Sequence, residues 1–363
     1  MKRSSIIRYV VLGLLLLTVW ITQNSAAMGE GYARSVYPVI AFCLSSFSHL
    51  LPFSLGDLFI TLSIAGVILY PVYARYKKRA WKKIILQDAE YLLWIYVWFY
   101  LAWGLNYSQK NFYERTGTEH VAYTAQSFKA FAFEYVQTLN KAYTPPPVKV
   151  NKEMVAREVV SGYNRICDSI GLNRPFASSP KVKTMLFSRV SAAVGITGYM
   201  GPFFCEFNLN KNLLPVEYAA TYAHELSHLL GITNEAEANF YAYEVCIRSS
   251  DPSIRFSGYF SILNHVLRNA KGVLSAEEYE ELVKQIRPGV KKLAEDDYNH
   301  WMAMYSPIIG DAQDWIYDLY LKGNKIKSGR KNYSEVVGLL ISWREKMNIQ
   351  ALRTIIIKNK YAH

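Results

Sequence analysis

The chain has 363 residues, 51% of them hydrophobic and only 19% charged, with a formal net charge of +12. So little charge on so long a chain argues against a fully soluble protein and directs attention to membrane segments. The positive excess does not point to nucleic acid, because six basic residues fall in one short stretch that a membrane topology accounts for.

Taken in chain order, the apolar run over 6–22 follows Lys2 and Arg3 and reads as a first membrane span. Residues 35–51 are apolar but interrupted by Pro38 and several serines, and read as an interfacial or re-entrant segment. A second span covers 55–73. A third, 91–105, is short but dense in the Trp and Tyr of an interfacial belt. Arg75, Lys77, Lys78, Arg79, Lys82 and Lys83 lie between the second and third spans, and Lys2, Arg3 and Arg8 at the start. The loop between the first two spans holds only Arg34. The positive-inside rule then puts the N-terminus and the second loop in the cytoplasm and everything after Asn106 outside. The small residues Ser25 and Ala27 also allow the first span to be a cleaved signal peptide. The expected organisation is a membrane region over 1–107 and an extracytoplasmic domain over 108–363. Cys43, Cys167, Cys205 and Cys246 show no CxxC spacing, which argues against a thiolate zinc site, while an oxidising exterior would permit a disulfide.

The outer domain is patterned mostly as helix. Apolar residues recur at helical spacing over 125–143, three prolines at 145–147 stop the run, and Asn151 can cap a second helix that ends near Gly171. Residues 181–190 and 203–210 alternate as strands do. In the second, Phe203, Cys205, Phe207 and Leu209 share one face, and Phe204, Glu206, Asn208 and Asn210 the other. The glycines and proline of 195–202 read as the loop between them, giving a small antiparallel sheet. After residue 250 the pattern is helical to the end. The expected fold class is α+β and mainly helical.

Pro215 can open the helix that carries "HELSH", and Gly231 can end it in a left-handed cap. His224 and His228, four residues apart, project from one helix face and can hold a zinc ion together. Glu225 cannot comfortably join them as a ligand, but it can reach a water on the metal and take its proton. A third ligand is required. In metzincins it is a histidine three residues after the turn glycine, but Asn234 stands at that position here. In gluzincins it is a glutamate on the next helix, with an acid four residues on that orients a ligand histidine. On that spacing Glu235 is the favoured ligand and Asn239 the orienting residue. Glu237 is the rival, and would otherwise belong to a capping box with Asn234.

The stretches "SLGDLF" (54–59), "WGLNY" (103–107), "GITGYMGPFFCEFNLN" (195–210), "AHELSHLLGITNEAEANFYAY" (223–243) and "YDLYLKGNKIKSGRKNYSEVVGLL" (317–340) together resemble an uncharacterised bacterial family, a domain of unknown function. Its members are membrane-anchored, with N-terminal spans and an outer zincin-like domain similar to gluzincin metallopeptidases. The resemblance implies a zincin-like fold and a zinc cofactor. It also implies an edge strand beside the motif helix that pairs with an extended peptide, for which Glu206 and Asn208 are the candidates facing cleft or solvent. A later Tyr or His would steady a developing oxyanion, with Tyr317, Tyr320, Tyr333 and His300 as candidates. The expected function is a zinc-dependent, peptide-cleaving hydrolase. It would sit in the bacterial inner membrane as a multi-pass protein whose C-terminal domain meets peptide or protein substrates of the cell envelope. The alternative is a non-catalytic zinc-binding membrane receptor or scaffold.

Overall fold

The apolar run that follows Lys2 folds as helix α1 (Arg3–Gln23) in the computed structural model, which describes residues 3–176, 181–307, 311, 324 and 335–360. It belongs to the first of two units, made of Met1–Lys110, Lys181–Ser188 and Gly198–Lys211. The sheet segments therefore group with the N-terminal helices and not, as the sequence suggested, with the rest of the outer block.

In this unit α2 (Ala26–Gly31), a π-helical turn (Tyr32–Val36) and α3 (Tyr37–Ser48) follow one another without a break. Pro38 does not interrupt them because it follows directly on the π-helical turn, whose last bond runs from the Tyr37 N–H to the Tyr32 carbonyl. Ser54 caps α4 (Leu55–Tyr76), its Oγ accepting the Asp57 N–H at 3.1 Å. α5 runs over Trp81–Ala102. The Ile6–Gln23 part of α1 and the whole of α4 are long and apolar enough to cross a membrane, and only 17% of each is buried, unlike the core helix of a soluble protein. By its position α1 equally suits a signal sequence. The third expected span is not matched. Lys82, Lys83, Asp88 and Glu90 occupy the first half of α5, and residues 91–102 reach only about 18 Å against a hydrocarbon core of about 30 Å.

The sheet is mixed, not antiparallel. β3 (Glu206–Leu209) lies between β1 (Lys183–Thr184), which is parallel to it, and β2 (Gly198–Gly201), which is antiparallel. The glycine-rich stretch expected to be a loop supplies β2, and Cys205 at φ 47° makes the tight turn into β3. Since β3 is central, its hydrogen-bonding edges are both taken, and it is not an edge open to a peptide. Glu206 and Asn208 are buried, correcting the expectation that they face cleft or solvent. Glu206 forms an ion pair with Lys183 and accepts hydrogen bonds from Ser54 Oγ at 2.9 Å and Gly56 N at 2.6 Å.

The second unit comprises Asn111–Pro180, Arg189–Thr197 and Asn212–His363. Among the described residues its helices are α6 (Phe112–Thr116), α7 (Ala125–Ala142), α8 (Lys152–Ile166), α9 (Ser188–Ala193, beginning at the last residue of the first unit), α10 (Pro215–Leu229), α11 (Glu235–Cys246), α12 (Pro252–Ser261), α13 (Leu263–Val273), α14 (Ala276–Gln285), α15 (Pro288–Met302) and α16 (Val336–Lys360). α10, α11 and α12 pack on one another, burying Tyr222, Leu226, Phe240, Tyr241 and Phe256. Each such side chain contributes roughly 1.5–3 kcal/mol on leaving water. That packing makes a rigid floor for the polar residues described next.

Candidate metal centre

α10 is buried on every side except one. After Pro215 its partly accessible residues are Glu217, Thr221 and His224, at helical spacings of four and three. His228 continues the same line one turn on and is nearly covered. The helix ends as Gly231 suggests: Gly231 adopts φ 102°, its N–H bonds to the His228 carbonyl at 3.0 Å, and the Ile232 N–H to the Ser227 carbonyl at 3.1 Å. This reversal returns the Ile232 carbonyl to His228, where it accepts from Nδ1 at 2.7 Å. Asn234 then caps α11 by accepting the Glu237 N–H at 2.9 Å, so that Glu235 opens the helix directly against the histidines.

The three donor atoms converge. His224 Nε2 lies 3.0 Å from His228 Nε2 and 3.1 Å from Glu235 Oε2, and His228 Nε2 is 3.5 Å from the same oxygen. Donors on a tetrahedral zinc with bonds of about 2.0–2.1 Å sit roughly 3.3–3.4 Å apart, so the spacing fits. The protonation pattern fits too. His224 Nδ1 lies 2.9 Å from Asn239 Oδ1, and His228 Nδ1 faces the Ile232 carbonyl. Both acceptors hold a proton on Nδ1, which leaves the Nε2 lone pairs of the neutral rings pointing at one another and at a carboxylate. Such an arrangement needs a positive charge between the lone pairs, either a proton or a metal ion. Without a metal the group behaves as an ion pair. Burial alone would lower His228, but the Glu235 carboxylate overcomes this and pushes it up to about 9. Burial alone would raise Glu235, but His228 and His224 hold it well below the usual carboxylate range.

Glu225 is buried beside this group. Burial pushes its carboxyl up, against the charges of His224 and His228. Its Oε2 has no hydrogen-bond partner, an orphaned buried acceptor next to three metal-type donors.

Glu237 does not join the cluster. It is paired with Arg115, and its Oε1 accepts the Phe112 N–H at 3.0 Å, so it ties α11 to the start of α6. Arg115 also donates to Tyr241 Oη at 3.0 Å. No local signal in the sequence marks Arg115. The Ile232 carbonyl was equally unmarked, although Gly231 predicted the turn that places it. Of the oxyanion candidates, His300 Nε2 is 2.7 Å from the Asn212 carbonyl, while Tyr317, Tyr320 and Tyr333 lie outside the described residues. Cys43, Cys167, Cys205 and Cys246 are free thiols, the last three buried.

No curated protein and no solved structure matches the chain. A family model described as Protein of unknown function (DUF3810) matches residues 32–341 and so takes in α3, α4 and α5 of the first unit, the sheet and the whole His–Glu cluster. The chain belongs to this DUF3810 family.

Proposed function

We propose that this protein is a membrane-anchored, zinc-dependent hydrolase of peptide bonds, with a zincin-like, gluzincin-type outer domain. The convergence of His224 Nε2, His228 Nε2 and Glu235 Oε2 within 3.0–3.5 Å carries the reading. These three residues would hold the ion, with Asn239 and the Ile232 carbonyl fixing the two rings. Zinc in such a site supplies Lewis-acid chemistry, acidifying water and polarising a carbonyl. Glu225 is the general base: its unpartnered Oε2 accepts the proton of the attacking water, and burial has already raised its affinity for that proton. The partly accessible line through Glu217, Thr221 and His224 gives substrate and water a way in, which a closed, purely structural zinc site lacks.

The arrangement of the first unit supports the membrane part of this reading. Arg8 of α1 meets Glu90 of α5 at 3.1 Å, and Gln23 meets Tyr100, so α1 and α5 run parallel. Ser63 of α4 accepts from Tyr91 Oη at 2.9 Å and Tyr70 pairs with Gln87, so α4 runs the other way. All three helices thus gather their basic residues (Arg8, Arg75, Lys77, Lys78, Arg79, Lys82 and Lys83) at one end of the bundle, which is the cytoplasmic end of a multi-pass bacterial inner-membrane protein. In this reading the whole of α5, about 33 Å of helix, is the third span in place of the 91–105 expected from the sequence. Glu90 is neutralised by Arg8, and the remaining charges snorkel to the interface.

The test is hydrolysis of a peptide library by the purified full chain, read by mass spectrometry, with Glu225→Gln alongside. Cleavage lost in Glu225→Gln with zinc retained supports the hydrolase. Zinc held equally by both chains with no cleavage by either favours the non-catalytic receptor or scaffold.

A further inference from the structure

We propose that the α2–α3 segment is an in-plane membrane helix whose apolar strip lies in the headgroup–acyl boundary at the non-basic end of the bundle. The inference rests on the bilayer reading of α1 and α4 and adds a contact that those spans do not imply.

The first observation is an inverted face. Val36, Val39, Phe42, Cys43, Phe47 and Leu50 recur at helical spacing, and all are exposed; Val39, Phe42, Phe47 and Leu50 are 62%, 52%, 56% and 77% exposed. The opposite face, Ala33, Tyr37, Ala41, Ser45 and Ser48, is small or polar and buried. A helix in water hides its apolar stripe and shows its polar one. This helix does the reverse, so a non-aqueous phase covers the strip. The strip also carries no charged residue, in contrast to a protein-binding groove with a polar rim.

The second observation is its direction. Residues 26–48 form a helical path of about 34 Å, enough to cross a bilayer. Yet three points along it lie at one end of the bundle. Tyr32 Oη donates to the Leu101 carbonyl near the end of α5 at 2.8 Å. Tyr37 hydrogen-bonds Cys205, whose Sγ is 3.7 Å from the Ala102 carbonyl at that same end. The Ser48 carbonyl accepts from Lys183 Nζ at 2.8 Å, and Lys183 pairs with Glu206, which caps Gly56 at the start of α4. Since α4 and α5 are antiparallel, the start of one and the end of the other share a level. A helix that begins, passes its middle and finishes at one level lies across the bundle end, not along it. Its exposed apolar strip belongs to the same unit as the exposed apolar surfaces of α1 and α4. An interfacial helix of this kind buries its apolar face roughly 5–10 Å into the headgroup–acyl boundary.

Cys43 makes the test possible without mutation, because it is the exposed thiol on the strip while Cys167, Cys205 and Cys246 are buried. The full chain, labelled at Cys43 with an environment-sensitive fluorophore, is placed in nanodiscs. Quenching is compared for nitroxides at shallow and deep acyl positions and for a water-soluble quencher. Leu62→Cys in a Cys43→Ser chain serves as the reference for α4. The expected result is that Cys43 is quenched most by the shallow nitroxide and Leu62→Cys most by the deep one. Quenching of Cys43 from water, from the deep position, or from neither phase, with Leu62→Cys still deep, overturns the in-plane helix; the last outcome would mean that protein covers the strip. Aqueous quenching of Leu62→Cys as well would overturn the bilayer reading itself, and the in-plane helix with it.

Discussion

In the first unit Lys183 and Glu206 are buried side by side, and each is answered. Glu206 receives Lys183, Ser54 Oγ and the Gly56 N–H, and Lys183 also donates to the Ser48 carbonyl. In the second unit His228, Glu235 and Glu225 are buried beside the partly accessible His224, and there the answer is incomplete at Glu225. Two imidazole lone pairs face each other, and a carboxylate oxygen has no partner. A buried polar group carries a desolvation cost that partners must offset. Where the partners are all protein groups, as at Glu206, the cluster holds the structure together. Where one is missing, as at Glu225, the proposed function supplies it from outside.

The strongest way to break this contrast is Lys183→Ala. Removing one member of a buried ion pair leaves the other charged and unpaired, at about 3–5 kcal/mol. Chemical unfolding of the full chain in detergent should show that loss, and replacing both partners by apolar residues (Lys183→Met with Glu206→Leu) should restore most of it. Equal losses in the single and double variants would mean that Glu206 acts through its helix cap and not through the charge pair.

The His–Glu cluster should behave in the opposite way. His224→Ala removes a metal donor but leaves Glu235 paired with His228, so the metal-free chain should lose less stability than Lys183→Ala does. Zinc should raise the unfolding temperature of the wild type, as any ligand of the folded state does, and leave His224→Ala unmoved. A smaller effect is expected at Asn239. Asn239→Ala frees the His224 ring without touching a donor and should weaken zinc affinity about 10–100-fold in a chelator competition, with the fold intact.

A pH-dependent effect sharpens the contrast with a third kind of polar group, one only partly buried. Burial and the neighbouring Asp297 push Glu217 up to about 8, while its oxygens accept from Leu214 N at 2.7 Å and Trp301 Nε1 at 2.8 Å. The folded state therefore keeps a proton that the unfolded chain releases above its value of 4.5. Stability from this group is complete below that value and is lost as pH rises through about 8. Glu217→Gln keeps a neutral side chain at every pH, and should flatten the fall in unfolding temperature over that window. An unchanged slope would place the titration elsewhere.

The parts of this account that were legible in the sequence are those decided within a few residues. Pro215, Gly231 and Asn234 each act on the turn in which they sit, so the ends of α10 and the start of α11 could be read off the chain, and with them the meeting of Glu235 and His224. What was not legible depends on distant partners. Glu237 is claimed by Arg115, 122 positions away, and Glu206 by Gly56, 150 positions away. Alternation assigned Glu206 and Asn208 to a wet face because it cannot know that β3 gains a neighbour on each side. The glycines of β2 carry the composition of a turn, and only pairing with β3 makes them a strand. Residues 35–51 looked broken by Pro38 and serines because a pattern count cannot see that Ser45 and Ser48 face inward.

Metal content by mass spectrometry on the purified full chain tests the central claim most directly, with His224→Ala and Glu225→Gln beside the wild type. The account predicts about one zinc per chain in the wild type and in Glu225→Gln, and none in His224→Ala. A wild-type chain that carries no metal and takes up none when zinc is added would contradict it. The charge between the two Nε2 lone pairs would then be a proton, and the cluster a buried ion pair like the one in the first unit.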